Sequence, residues 1–285
     1  MFTTLITCTE LQALQQSAAP LLIVDCTADL MNPAAGLRQF LDAHIPGATH
    51  ADLDHDLSAH GVADAASGGR HPLPRREVFA HWLRQIGLRT DTQVVVCDRN
   101  GLNFCGRLWW MLKWAGHEAV AVLDGGLAAW TDAGGAVESG PATPRAPSDW
   151  TLQPPLRELV TAADVLAHLD QPDQTLIDAR AAPRYRGEVE PLDPVAGHIP
   201  GALNRPFGLN LDEQGRFKPA DTLRAEFEAL LAGRDPASVV HQCGSGVSAL
   251  PNLLAMEVAG FAPTRLFAGS WSEWCRDPSR PVAKG

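Results

Sequence analysis

Val239-Val240-His241-Gln242-Cys243-Gly244-Ser245-Gly246-Val247-Ser248-Ala249 carries an apolar strand pattern into a glycine-rich turn, and a helical pattern, Asn252 to Ala259, follows at once. Strand, tight loop and helix in succession form the building unit of an α/β fold. Such a loop points successive backbone N–H groups inward, and the helix N-terminus behind it adds partial positive charge, so an anion at the Cys243 sulfur is stabilised. A cysteine in that setting is expected to be a thiolate near neutral pH, and therefore a nucleophile. The competing reading makes Cys243 a small buried hydrophobe that happens to stand beside Gly244 and Gly246.

Outward from this loop, the chain repeats itself. His44-Ile45-Pro46-Gly47-Ala48 returns as His198-Ile199-Pro200-Gly201-Ala202, an offset of 198 − 44 = 154. Thr7 with Glu10 returns at the same offset as Thr161 with Asp164, each pair placing a capping hydroxyl three residues before a carboxylate at a helix start. Leu21 to Asp25 pairs with Leu176 to Asp178 as a buried strand, Val94 to Val96 with Val239 and Val240, and Gly125 with Trp130 answers Gly269 with Trp274. Solenoid repeats run only about 20 to 50 residues, so two copies this long predict tandem α/β domains. Short apolar strands alternating with amphipathic helices predict mainly parallel sheets with helices on both faces.

Aligning Gly101 with Gly246 brings Asp98 opposite Cys243, so the first copy has a carboxylate where the second has the thiol. A carboxylate there cannot act as a thiol nucleophile, and Asp98 reads as a loop-capping residue. From the repeated alanine to this loop position the first copy spans 98 − 48 = 50 residues and the second 243 − 202 = 41. The extra nine fall between His55 and Pro74, a stretch that includes Gly68-Gly69-Arg70-His71-Pro72-Leu73-Pro74. Loops of this length within compact domains are often functional.

The segment Cys243 to Ala249 resembles the active-site loop of the rhodanese superfamily of sulfurtransferases, and it is most similar to the loop of the 3-mercaptopyruvate branch. Thiosulfate-preferring members carry Arg and Lys where this chain has Gly244 and Ser245. Gly269-Ser270-Trp271-Ser272-Glu273-Trp274 also resembles the family's C-terminal signature. The resemblance covers nearly the whole chain. It implies two tandem rhodanese-like domains: an inactive one over 1–135, a Pro-rich linker over 136–158, and a catalytic one over 159–285. The proline-rich stretch from Gly134 to Pro155 is expected to run extended.

The resemblance implies further that Cys243 takes a sulfur from an anionic donor, 3-mercaptopyruvate or thiosulfate, and holds it as a persulfide cradled by Gly244, Gly246, Val247 and Ser248. A thiol, a thioredoxin-like protein or cyanide then removes it. The family's catalytic-cleft loop has a His and an upstream Asp proposed to form a proton relay with the loop serine, and the matching positions are His71, Asp54 and Ser245. Asp52 and Asp56 lie near enough to compete with Asp54. The second arginine of Asp178-Ala179-Arg180-Ala181-Ala182-Pro183-Arg184 matches the donor-binding arginine, which makes Arg184 the candidate anion ligand. Mercaptopyruvate enzymes add an arginine in a Glu-Pro-Arg run, whereas this chain reads Glu190-Pro191-Leu192. Either Arg186 replaces that cation or donor preference has drifted. Arg180, beside Asp178, reads as a structural ion pair.

Two other classes compete. A cysteine phosphatase needs a Cys-x5-Arg loop, but the required position holds Ala249 and no arginine occurs between Gln242 and Gly260. A non-catalytic carrier or binding module would be marked by loss of the cysteine, which is present. The 285 residues suffice for two domains with cores. A net charge of −10 with no Lys/Arg run speaks against nucleic acid as a partner. It also repels anionic donors overall, so attraction must be local to the site. The six cysteines are irregularly spaced and read as reduced thiols. No leader pattern, span of apolar residues or metal-ligand spacing is seen, so the expectations are no membrane, a cytoplasmic location, no metal and no cofactor beyond the persulfide. Trp109, Trp110 and Trp114 sit at helical spacing and are expected in the core.

Overall fold

The computed structural model describes residues 1–285. They form two compact units, one of residues 1–59, 74–156 and 213–216, the other of 60–73, 157–212 and 217–285. The first unit contains β1 (Leu5–Ile6), α1 (Cys8–Gln16), β2 (Leu21–Asp25), α2 (Ala34–Asp42), β3 (Thr49–His50), α3 (Arg76–Gln85), β4 (Gln93–Cys97), α4 (Cys105–Trp114), β5 (Val120–Leu123) and α5 (Gly126–Asp132). Its sheet is parallel throughout, in the order β1-β5-β4-β2-β3.

The second unit contains α6 (Ala162–Ala167), β6 (Thr175–Asp178), α7 (Ala182–Tyr185), β7 (Leu203–Asn204), α8 (Ala220–Leu231), β8 (Val239–Gln242), α9 (Leu250–Val258), β9 (Arg265–Leu266) and α10 (Ser270–Trp274). Its parallel sheet runs β7-β6-β8-β9, and a bridge from Leu159 to Leu266 stands where β1 pairs with β5 in the first. The two sheets therefore share one topology. Central strands β4 and β8 are buried along their whole length, as strands covered on both faces must be.

The repeated sequence signals prove to be the fold's fixings. Thr7 and Thr161 both close reciprocal capping boxes, with Glu10 and Asp164. Each such cap contributes about 1 kcal/mol. His44 Nδ1–H donates to the Phe40 carbonyl (2.7 Å) and its ring stacks on that of Phe40 at 3.9 Å; His198 does the same with Tyr185, at 2.8 and 3.9 Å. Trp130 and Trp274 each donate an indole N–H to a carbonyl six or seven residues on, Ala136 and Pro281. Trp109, Trp110 and Trp114 are buried on α4. Helix α9 starts at Leu250, two residues before the expected Asn252, because Pro251 fits a first turn where no N–H is needed. All six cysteines are free and buried, and no helix is long and apolar enough to cross a membrane.

Candidate active site

Strand β8 delivers Cys243 to the carboxyl edge of the second sheet, where open α/β folds place their sites. Three hydrogen bonds from the start of α10 fix its backbone. The Cys243 N–H donates to Ser270 Oγ (3.1 Å), the Cys243 carbonyl accepts from Trp271 N–H (3.0 Å), and the Gly244 carbonyl accepts from Ser272 N–H (2.9 Å). Gly246 has φ of +73°, and a Cβ there would lie 2.1 Å from the Ala268 carbonyl oxygen. Only glycine lets the loop turn so close to the chain before α10. Cys243, Gly244, Ser245, Gly246 and Val247 are buried, and Ser248 is half-buried.

The backbone N–H groups of Ser245, Val247 and Ala249 have no acceptor within the protein, whereas Leu250 N–H is bonded to the Val247 carbonyl. The first unit indicates what such a loop holds. There Asp98, opposite Cys243, accepts four backbone N–H bonds: Asn100 (2.8 Å) and Leu102 (3.0 Å) on Oδ1, Phe104 (2.8 Å) and Cys105 (2.9 Å) on Oδ2. In the alignment these donors correspond to Ser245, Val247, Ala249 and Leu250. Burial pushes the Asp98 carboxyl up while those N–H groups act the other way. The loop of the first unit thus supplies its own anion, the capping role expected of Asp98.

His71 joins the loop through its Nδ1, 2.8 Å from Ser245 Oγ. The segment bearing it is docked by Gly68 N–H to the Glu273 carboxylate (3.1 Å) and by Arg70 N–H to Ser272 Oγ (2.9 Å). Gly69, with φ of +87°, would bring a Cβ within 2.5 Å of the Gly269 carbonyl oxygen, so the close approach requires glycine. Asp54 lies in the first unit, in a turn where its N–H donates to Asp52 Oδ1 (2.8 Å). Of its two rivals, Asp52 also accepts from His55, and Asp56 accepts from the Asp52 N–H.

Three arginines and three carboxylates make up the charged part of the site. Arg180 binds Asp178 (2.6 Å at its shortest), the Gly197 carbonyl (2.8 Å) and Glu190 (3.4 Å), and lies over the Trp271 ring. Burial opposes its charge, but Asp178 and Glu190 outweigh that and push the guanidinium up, which fits the structural ion pair expected of it. Arg184 binds Glu190 through Nη2 (2.6 Å) and Nε (3.2 Å), and reaches Asp193 at 3.4 Å. Glu190 also accepts the N–H groups of Leu192 and Asp193; against its burial, these and Arg184 hold its carboxyl below the usual range. Arg186 does not join this cluster. Its guanidinium is taken by Glu188 (2.6 and 3.0 Å) on exposed surface. The residue that does join is Arg70, whose Nη1 pairs with Asp193. Its sequence signal was its place in the inserted Gly68-Gly69-Arg70-His71 stretch.

A rhodanese-like domain model matches residues 7–133 and again 161–277. The chain belongs to the rhodanese family. This rhodanese is 50% identical over 277 residues, 96% of it and 95% of the relative, to a Pseudomonas aeruginosa protein provisionally named 3-mercaptopyruvate sulfurtransferase. It is 41% identical over 288 residues, 99% of it and 97% of the relative, to a Mycobacterium tuberculosis protein provisionally named thiosulfate sulfurtransferase. The crystal structure of the 3-mercaptopyruvate sulfotransferase SseA from Escherichia coli matches it with a TM-score of 0.77 and 32% identity, over 95% of this chain and 100% of that one.

Proposed function

We propose that this rhodanese is a sulfurtransferase that moves a sulfane sulfur from 3-mercaptopyruvate to a thiol acceptor through a persulfide on Cys243. The observation that carries the reading is the set of N–H groups at Ser245, Val247 and Ala249, which face no protein acceptor around Cys243 while their counterparts in the first unit hold a carboxylate. A persulfide anion offers the same charge to the same donors.

In the first half-reaction the Cys243 thiolate forms a bond to the donor sulfur and the donor's carbon–sulfur bond breaks, its electron pair remaining on carbon. That carbon takes up one proton, matched by the proton the donor thiol gives up, so pyruvate leaves and the persulfide anion stays with total charge unchanged. Ser245, hydrogen-bonded to His71, is positioned to pass the proton, and Asp54 is proposed to support His71. Arg184 binds the donor's carboxylate. In the second half-reaction a thiol, a thioredoxin-like protein or cyanide removes the outer sulfur and restores the thiolate. No cofactor beyond the persulfide is required. The six free cysteines fit a reducing, cytoplasmic setting.

Thiosulfate is the second reading for the donor, favoured by Leu192 where a second arginine was expected and by the name of the Mycobacterium relative. The test is steady-state transfer from each donor by wild type and Cys243→Ser, with mass spectrometry of the donor-treated protein. A higher kcat/KM with 3-mercaptopyruvate, one added sulfur on wild type and neither on Cys243→Ser is the expected result. Preference for thiosulfate overturns the donor assignment, and no Cys243-dependent transfer from either overturns the enzyme.

A further inference from the structure

We infer that a cavity in the first unit is a binding site for a small apolar monocarboxylate, an aromatic or branched aliphatic acid whose carboxylate is taken by Arg99. The cavity is bounded by the loop after β4, at Asp98 to Leu102, and by α5, which follows β5. It therefore lies at the carboxyl edge of the sheet, where open α/β folds bind their ligands. Its volume is about 500 Å³, within the range of small-molecule sites. Ala43, Leu102, Leu127, Ala128 and Val137 make the walls mostly apolar, and Arg99 is the basic residue among them. No step of the reaction proposed above uses this space.

The repeat accounts for the opening. At the offset that relates Trp130 to Trp274, Ala128 and Ala129 answer Ser272 and Glu273. Ser272 and Glu273 are the acceptors that fasten the backbone of the 68–70 segment against α10. Two alanine side chains offer no acceptor, so α5 cannot hold a segment in that way and its face becomes a cavity wall. Gln214 and Gly215, from the loop closed by the Leu211–Phe217 bridge, join the lining without filling the space. The N–H cradle beside the cavity is occupied, since Asp98 takes its four donors, so a ligand anion must be met by another group. Arg99 is that group. Its guanidinium donates to the Ala43 carbonyl, lies 3.8 Å from the Asp25 carboxylate and has no other acceptor in the protein. The side chain is 24% exposed, which leaves part of the fork open to a ligand carboxylate. With the carboxylates of Asp25 and Asp98 beside the same guanidinium, a monoanion is matched and a dianion is repelled. The apolar walls select the body of the ligand, because polar groups placed against them would lose their water without gaining partners.

Phenylacetate is the probe, with phenylacetamide and acetate as controls that lack the charge and the ring. Each is titrated into the full chain, as wild type, Ala128→Trp and Cys243→Ser, and followed by backbone amide NMR. Signals of residues 98–102 and 125–131 report the cavity, and those of 243–249 report the catalytic loop. A ligand of about ten non-hydrogen atoms should bind wild type with a Kd of about 1 mM and shift the cavity signals. Phenylacetamide should bind about tenfold more weakly for want of the charged partner, and acetate should leave the cavity signals in place. Ala128 is exposed on α5, so Ala128→Trp folds; its indole takes the space of the ring and should weaken phenylacetate about tenfold or more. Cys243→Ser should bind as wild type does. Shifts confined to 243–249, unaltered binding by Ala128→Trp, or no shift at about 20 mM phenylacetate would each overturn the site. Phenylacetamide bound as tightly as phenylacetate would overturn the carboxylate class and the role of Arg99.

Discussion

If the loop of the first unit is an anion cradle filled by Asp98, then removing its carboxylate should create a binding site for a small carboxylate. Asp98→Ala deletes the equivalent of formate and strands the N–H groups of Asn100, Leu102, Phe104 and Cys105. All but Asn100 belong to buried residues, and Leu102 is held at φ of +60°, a conformation that its bonded N–H helps to fix. At about 1 to 2 kcal/mol for each buried donor left unmet, the loss is about 3 to 6 kcal/mol, a large fraction of a domain's stability. Asp98→Asn should lose roughly half as much, since its oxygen keeps one pair of donors while its NH2 faces the other. Formate should then restore part of what Asp98→Ala lost. With a dissociation constant of about 10 mM, about 0.1 M formate stabilises by about 1.4 kcal/mol, or about 3 to 6 °C in Tm. The assay is thermal unfolding of wild type and Asp98→Ala in sodium formate against sodium chloride at equal ionic strength. An Asp98→Ala protein as stable as wild type would refute the reasoning, as would equal shifts in both salts. Either outcome would also remove the argument that the matching N–H groups around Cys243 hold a persulfide.

Two further predictions concern the catalytic unit. His71→Gln should slow persulfide formation from 3-mercaptopyruvate about a hundredfold, since the leaving carbon needs a proton, and slow thiosulfate turnover less than about threefold, since sulfite does not; equal losses in pre-steady-state rates with both donors would rule out the Ser245–His71 relay. His241 is fully buried on β8 with neither ring nitrogen hydrogen-bonded, and burial pushes its pKa down to about 3. The folded value lies below the unfolded value near 6.5, so the unfolded chain binds a proton the folded chain refuses. The stability due to neutral His241 is complete above about pH 6.5 and is lost as pH falls toward 3. Between pH 6.5 and 5 the loss is about 2 kcal/mol, at about 1.4 kcal/mol per unit. Urea unfolding at pH 7 and pH 5 should show that increment in wild type and its absence in His241→Leu; identical differences in the two proteins would contradict it.

What the sequence made legible was whatever it wrote locally or wrote twice. Val239 to Ala249 announces a strand, a turn and a helix because an apolar run, two glycines and an amphipathic pattern follow one another within reach of a single loop. The capping boxes at Thr7 and Thr161 were readable because each has its physical effect within three residues of itself, and the His-Ile-Pro-Gly-Ala copies were readable because the stretch is written twice. Arg186 could have been assigned to Glu188 on the same ground, being two residues away. The cluster around the cysteine loop is written otherwise. His71 and Ser245 are 174 residues apart, Arg70 and Asp193 are 123 apart, and no periodicity or spacing connects them.

Arg70 was hidden for a specific physical reason. Its position depends on backbone fit at Gly68 and Gly69 against Gly269, Ser272 and Glu273, so the information lies in the space that glycines leave and not in any charge pattern. By sequence the segment 60–73 belongs to the first copy, yet it packs as part of the second unit. This segment of the longer first copy therefore furnishes the second unit with a histidine at its serine and an arginine near its cysteine loop. The two copies have diverged in complementary ways: one fills its own cradle with Asp98, while the other leaves its N–H donors for a sulfur anion. The N–H donors that Asp98 satisfies in the first unit have counterparts at Ser245, Val247 and Ala249 that the second unit leaves open around Cys243.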